Sequence, residues 1–240
     1  MSRRSIFLFV AAFGCFIAAF ILKTQTSYPK LTSEDLLRTP REEIGRIYTL
    51  HQYVDGLFQQ KAIPYFAIAG TLLGAVRHGG VIPWDDDLDI GIMEEDLPRV
   101  YDLRETLNQQ GYDITEFGGG VKIYYMDGKV IPDPEHPGES YKWKFPWVDL
   151  FLMKIEGNRV VYAVDRLKEG FKNEWFYAED VKHLKRLPFG EGSIPAPDQW
   201  IDYLNRVYDG NWNTTAYKDY DHAEERRLSK IPVPIVNFRR

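Results

Sequence analysis

Four of the five consecutive residues from Asp85 to Asp89 are aspartates, and an apolar run from Ile90 to Met93 follows at once. Carboxylates set that close repel one another unless a cation sits between them or water solvates them. The stretch predicts a strand over Asp87–Met93. Side chains alternate across a strand, so Asp85, Asp87 and Asp89 would share one face while Leu88 and Ile90 take the other. Clustered carboxylate oxygens suit Mg²⁺ or Mn²⁺, hard cations that also accept waters and phosphate oxygens. A bare acidic run fits a solvated turn as well, and these residues alone leave both readings open.

Two neighbours weigh toward chemistry. In "AGTLLGAV", Ala69 to Val76, the Gly70–Thr71 step stands between a strand and a helix. It offers backbone N–H groups and a hydroxyl at a helix N-terminus, which suits a phosphate, although an ordinary capped turn reads the same. In "WVDLFL", Asp149 is a lone carboxylate in an apolar strand. Burying it without a partner is costly, so it meets a cation or accepts strong hydrogen bonds. Arg77 and His78 follow the Gly-Thr helix, and Lys122 lies in a neighbouring strand; each could balance phosphate charge or sit solvated at the surface. Trp84 reads more readily as packing under the acidic strand than as stacking on a base. Trp200, Tyr208 and Trp212 read more readily as core than as an acceptor groove.

The elements that must position these residues follow from periodicity. Ile44, Ile47, Tyr48, His51, Val54, Leu57 and Phe58 recur at three- and four-residue spacing, which predicts a helix from Arg41 to Gln60. "IPYFAIAG", Ile63 to Gly70, predicts a short strand, and Thr71 begins a helix closed by Gly79 and Gly80. After the acidic strand, Glu94 to Gly111 reads as one amphipathic helix. "YDITEF" and "VKIYYM" read as an antiparallel pair joined by glycines 118 to 120. Val130 to Ser140 reads as loop and Lys144 to Ile155 as a buried strand paired with "NRVVYAV". The last third is irregular and aromatic, with a helix near Gln199 to Tyr208. Strands and helices in this order predict an α+β domain with a central mixed sheet.

The chain has 240 residues, enough for one substantial domain. Its formal charge of -5 argues against a duplex nucleic-acid binder, which needs a basic face. Cys15 is the single cysteine, so neither an intrachain disulfide nor a cysteine metal site is available. Ile6 to Leu22 carries no charge and follows Arg3 and Arg4. That predicts an N-terminal transmembrane helix over residues 6–22 within an anchor of residues 1–23, with the arginines cytosolic. A cleaved signal peptide is the alternative. Residues 24–40 read as a polar stem, and residues 41–240 as the catalytic domain. On this reading the chain is a single-pass protein of the Golgi or endoplasmic reticulum membrane with a lumenal domain. The "NTT" sequon at Asn213 is consistent with that placement.

The order strand, Gly-Thr helix, Asp-x-Asp strand, then apolar-Asp-apolar strand resembles the layout of the nucleotidyltransferase fold. "YFAIAGTLLGAVRHGGVIPWDDDLDIGI" closely resembles the signature of the LicD and fukutin-related phosphotransferase family. The likeness continues more weakly in "PWVDLF", "HLKRLPFGEGSIPAP" and "YLNRVYDGNW", the last with Asp209 inserted before Gly210. The resemblance implies transfer of a phospho-alcohol, such as choline phosphate or ribitol phosphate, from a cytidine diphosphate donor to a glycan hydroxyl. It implies Gly70 and Thr71 for the donor phosphates, and Asp87 with Asp89, and also Asp85, for divalent metal. Asp149 matches the fold's third carboxylate, placed to hold metal and to take the proton of the attacking hydroxyl. The fukutin-related branch carries a cysteine zinc cluster that this chain cannot build. Two other readings stay open: a non-catalytic accessory member of the family, and a nucleotidyltransferase that moves the nucleotide itself.

Overall fold

The computed structural model describes residues 39–133, 136–208 and 210–216, together with the backbone of three further two-residue strands at 220–221, 226–227 and 233–234. The anticipated transmembrane helix over 6–22 and most of the stem lie outside the described residues. No helix among the described residues is long and apolar enough to cross a membrane. The longest, α1 (Arg41–Gln60), carries Arg41, Glu42, Glu43, Arg46 and Asp55. The expected fold class is corrected accordingly: the described residues form an α+β domain, a mixed sheet with flanking helices, none of them long and apolar enough to span a membrane.

Strand β1 (Phe66–Ala67) and helix α2 (Ala69–His78) lead to β2 (Asp89–Met93). Then come α3 (Leu97–Tyr101), α4 (Arg104–Asn108), β3 (Tyr112–Phe117), β4 (Gly120–Pro132), β5 (Ser140–Glu156) and β6 (Arg159–Tyr162). The main sheet runs β1-β2-β5-β4-β3, and β6 carries it on to β7 (Phe176–Tyr177). β2 and β5 are parallel, and the other pairs are antiparallel. Residues 145–150 of β5 are all buried, as a central strand covered on both faces requires.

Helix α1 covers the sheet, burying Ile47, His51, Val54, Leu57 and Phe58 of the predicted stripe together with Leu50, while Ile44 and Tyr48 are half-buried. Helix α5 (Asp165–Gly170) precedes β7, and α6 (Ala178–Lys182) follows it. A hairpin of β8 (Lys185–Phe189) and β9 (Gly192–Ala196) and helix α7 (Trp200–Val207) follow, with a short strand at Thr215–Ala216 after them. The last third is therefore more regular than its sequence suggests.

Several predicted boundaries move, each for a local reason. β1 is two residues long because Ala69 turns to φ 44°, and α2 starts there rather than at Thr71. β2 starts at Asp89, not Asp87. Upstream the chain turns, with the Asp85 N–H donating to the Ile82 carbonyl at 2.8 Å, and pairing with β5 begins only at Asp89 opposite Asp149. Strict alternation therefore does not govern Asp85 and Asp87. The single helix expected over Glu94–Gly111 is a 3₁₀ turn at Glu94–Asp96 followed by α3 and α4. The Leu103 N–H reaches back only to Val100, which tightens the junction, while Val100, Leu103 and Leu107 stay buried. The loop expected over 130–140 shortens, because β4 extends to Pro132 and β5 begins at Ser140.

His51 of α1 is 2% exposed, with Nε2 3.2 Å from the Tyr65 hydroxyl. Burial pushes its imidazole down to about 4, against the pull of nearby Asp55 and with the help of Arg186. The unfolded chain, at the ordinary value of 6.5, takes up the proton first as pH falls. This contribution to stability is complete above pH 6.5 and is lost between 6.5 and 4. At 1.36 kcal/mol per pH unit the loss amounts to ~3 kcal/mol. Urea midpoints at pH 7 and pH 4.5 should separate less in His51→Gln than in the parent; equal separation would show that His51 does not carry the effect.

Candidate active site

The site is built on one row of the sheet. Asp89 of β2 sits opposite Asp149 of β5, and Asp149 sits opposite Lys122 of β4. Residues opposite one another on adjacent strands project to the same face. Asp87, in the turn just before β2, joins the row from outside the sheet. Carboxylate oxygens of Asp87, Asp89 and Asp149 all lie within 4.8 Å of one another. Asp85 and Asp86 make a second group with Asp87 at the same spacing. Asp86 is buried and was not singled out from the sequence.

Three oxygen-donor carboxylates from two elements at this spacing match what a hard divalent cation takes, so the residues fit such an ion. Among the described residues no other group of His, Cys, Asp and Glu side chains beyond these two clusters meets that spacing.

Asp149 is 4% exposed and is held by charge-assisted bonds. Lys122 Nζ donates to Oδ1 at 2.7 Å and to Oδ2 at 2.8 Å, and Trp147 Nε1 donates to Oδ2 at 2.9 Å. The sequence demanded either a cation or strong hydrogen bonds for Asp149, and the structure supplies an ammonium and an indole. Lys122 itself is 5% exposed, with its ammonium over the rings of Trp147 at 4.0 Å, Phe117 at 4.8 Å and Trp143 at 5.2 Å.

Helix α2 brings its first turn to the same place. The Thr71 hydroxyl accepts the Asp89 N–H at 2.7 Å, tying the helix start to the start of β2. A Cβ on Gly70 would lie 3.0 Å from Asp85 Oδ2, so the backbone passes the acidic turn at a distance that favours glycine. Ala69 adopts the left-handed φ of 44°, and its N–H donates to the Tyr203 hydroxyl at 3.1 Å. The Tyr203 hydroxyl in turn donates to Glu174 Oε2 at 3.3 Å, and the Tyr162 hydroxyl donates to the same oxygen at 2.7 Å. Burial raises the Glu174 carboxyl above the ordinary range, while the two phenol hydrogen bonds oppose that shift. Burial likewise pushes the Tyr208 phenol well above its usual value, reinforced by the charges of Glu174, Asp85 and Asp89. Glu174 thus belongs to the surroundings of the α2 turn. Its sequence context, "FKNEWFY", has no periodicity or motif that could have shown this.

Arg77 and His78 lie at the opposite, C-terminal end of α2. Arg77 Nη1 donates to the carbonyls of Trp212 at 2.6 Å and Thr215 at 3.4 Å, and Nε donates to His78 Nε2 at 2.9 Å. Burial lowers the Arg77 guanidinium to about 10, against the pull of Tyr208 and Asp85. These bonds fasten the C-terminal segment to α2. Trp84 is 2% exposed and meets His78 edge-on at 5.8 Å, in keeping with packing rather than base stacking.

Residues 62–199 match the model of the family described as LicD/FKTN/FKRP, nucleotidyltransferase domain. The chain is 30% identical over 197 residues to the uncharacterized protein RP689 of Rickettsia prowazekii, covering 81% of this chain and 66% of that one. It is 45% identical over 108 residues to the ribitol 5-phosphate transferase FKRP of Homo sapiens, covering 41% of this chain and 22% of that one. It is 37% identical over 65 residues to the lipopolysaccharide cholinephosphotransferase LicD of Haemophilus influenzae, covering 27% of this chain and 24% of that one. The chain thus spans less than two thirds of the length of the curated relatives it matches.

The bond from Asp89 N–H to Thr71 is the point at which helix and strand are locked together. Thr71→Val keeps the shape but leaves that N–H without its acceptor, a loss of roughly 1–3 kcal/mol where the group stays buried. Urea unfolding should show that loss in Thr71→Val and its recovery in Thr71→Ser; equal stability of all three proteins would contradict the assignment.

Proposed function

The chain belongs to the LicD/FKTN/FKRP nucleotidyltransferase-domain family, and from that premise we propose that it moves a phospho-alcohol from a cytidine diphosphate donor to a glycan hydroxyl. The observation that carries the reading is the convergence of Asp87, Asp89 and Asp149 within 4.8 Å, beside the first turn of α2. Two family relatives bear the names of ribitol phosphate and choline phosphate transferases, which supports this class of donor.

Asp87, Asp89 and Asp149 are the residues to hold a divalent ion, Mg²⁺ or Mn²⁺, and Asp85 borders them. Such an ion, when bound, supplies charge neutralisation for the diphosphate. The first turn of α2, around Gly70 and Thr71, is the place for the donor phosphates, where the helix dipole favours negative charge. In the transfer the acceptor oxygen forms a bond to the phosphorus of the phospho-alcohol. The bridging bond to the cytidine monophosphate breaks, and its electron pair leaves with that product. The acceptor's proton goes to a carboxylate of the trio, in which Lys122 and Trp147 hold Asp149 in a fixed orientation. Positioning and charge balance do most of the work in such displacements, and no covalent intermediate with the protein is required.

The test is a panel of cytidine diphosphate alcohols with Mn²⁺ and glycan acceptors, read by product mass and by release of cytidine monophosphate. A product heavier by the phospho-alcohol supports the reading; one heavier by the nucleotide overturns it. Asp87→Asn and Asp89→Asn should each lower release by roughly 100-fold or more, the scale on which removing one charge-stabilising group acts. Circular dichroism should show both variants folded. Full activity in both would remove the carboxylates from the mechanism.

A further inference from the structure

Resting on the metal reading of this site, we propose that Lys122 serves as its second cation: the ammonium occupies the side of the centre next to Asp149, so the three carboxylates take one divalent ion rather than two. Lys122 thereby acts through Asp149 as a positioning residue. A direct grip on the donor phosphates, the role that its sequence position suggested, does not fit its surroundings.

The geometry separates these roles. A lysine ammonium has three N–H donors. Here Lys122 directs donors to both oxygens of Asp149, at 2.7 and 2.8 Å. Trp147, Phe117 and Trp143 surround the same nitrogen with ring faces and edges, the nearest centroid at 4.0 Å. Only 5% of the residue is exposed. Aromatic rings attract a cation and offer nothing to a phosphate. The pocket around the ammonium is therefore closed by one carboxylate and three rings, a setting for a permanent counter-ion.

The Lys122–Asp149 ion pair at 2.7 Å offsets the charge of Asp149 within the trio. Lys122 also reaches the cluster from its own strand, opposite Asp149 in the register, so it needs no movement to be there. Asp149 is consequently oriented before any ion arrives. In the register Asp89 and Lys122 flank Asp149 from opposite sides.

Lys122→Met keeps most of the side-chain volume and the ring contacts while removing the charge. The measurement is Mn²⁺ binding to the protein without donor, followed by electron paramagnetic resonance, in the parent, Lys122→Met and Lys122→Arg. The parent should take one Mn²⁺ that Asp89→Asn abolishes. Removing a unit positive charge a few ångströms from the ion should tighten Mn²⁺ by roughly tenfold or more, or admit a second ion. Lys122→Arg should restore the parent's single ion. A merely structural lysine would leave affinity the same or weaken it, and either result overturns the proposal. So does a raised donor KM in Lys122→Met with Mn²⁺ binding unchanged, which would return Lys122 to the donor phosphates. Should Lys122→Met fail to fold, the parent decides: two ions at the Asp89-dependent site with Lys122 in place overturn the proposal, and one supports it. If the parent takes no Mn²⁺ at all, the metal reading fails together with this inference. If it takes Mn²⁺ but the lysine variants change nothing, the inference alone fails.

Discussion

The structure depends on the register that sets Asp89, Asp149 and Lys122 side by side on three adjacent strands. Shifting any strand by one residue would send its charged side chain to the opposite face. Asp149 and Lys122 would then be separated, each buried without its partner. Burying an unpaired charge is far more costly than burying an apolar group, so the row itself selects the register. The apolar neighbours agree with it. Leu88, Ile90, Val121, Ile123, Val148 and Leu150 are each fully buried, so the same alignment that joins the charges also fills the core.

The backbones of Asp149 and Asp89 tie the site to neighbouring elements. The Asp149 N–H is bonded to the Leu88 carbonyl at 2.8 Å, which draws the acidic turn against β5. The Asp89 N–H is bonded to Thr71, which draws in α2. Backbone and side chain of the two aspartates therefore do different things. The backbones bind neighbouring elements together, and the side chains are left to converge. Asp87 reaches the trio because the chain between Ile82 and Asp89 turns before it pairs. A turn can bring consecutive carboxylates to one point, whereas an extended strand would send every second one away.

What the sequence made legible follows from how local each cause is. The α1 boundaries, Arg41 and Gln60, were readable because a 3.6-residue repeat over many positions averages out single exceptions. The pairing of "YDITEF" with "VKIYYM" was readable from alternation and glycines. Asp149 stood out because an acid in an apolar strand has few explanations. The start of β2 was not readable, since the bond from Asp85 to Ile82 ends the pattern without any glycine there to mark it. Lys122 was visible as a cation, but its partner was not, because 27 residues of chain separate it from Asp149. Glu174 was invisible for the same reason: its phenol partners come from β6 and α7. The apolar N-terminal segment was legible as hydrophobicity alone, and among the described residues no helix is long and apolar enough to cross a membrane.

Ala69 shows how distant residues reach the site. A non-glycine residue at φ 44° is energetically unfavourable, and such conformations persist only where the surroundings over-determine them. Here the determinant is the Tyr203 hydroxyl, fixed on one side by the Ala69 N–H and on the other by Glu174. Tyr203 is itself stacked on Phe176 at 4.1 Å, and Phe176 meets Phe66 of β1 edge-on at 5.6 Å. The strain at the head of α2 is thus balanced by a chain of contacts that returns to the strand just before it. That closed circuit fixes where the first turn of α2 begins. A helix start held only by its own first turn would be free to relax toward the ordinary φ, and the distance from Gly70 to the acidic turn would no longer be set.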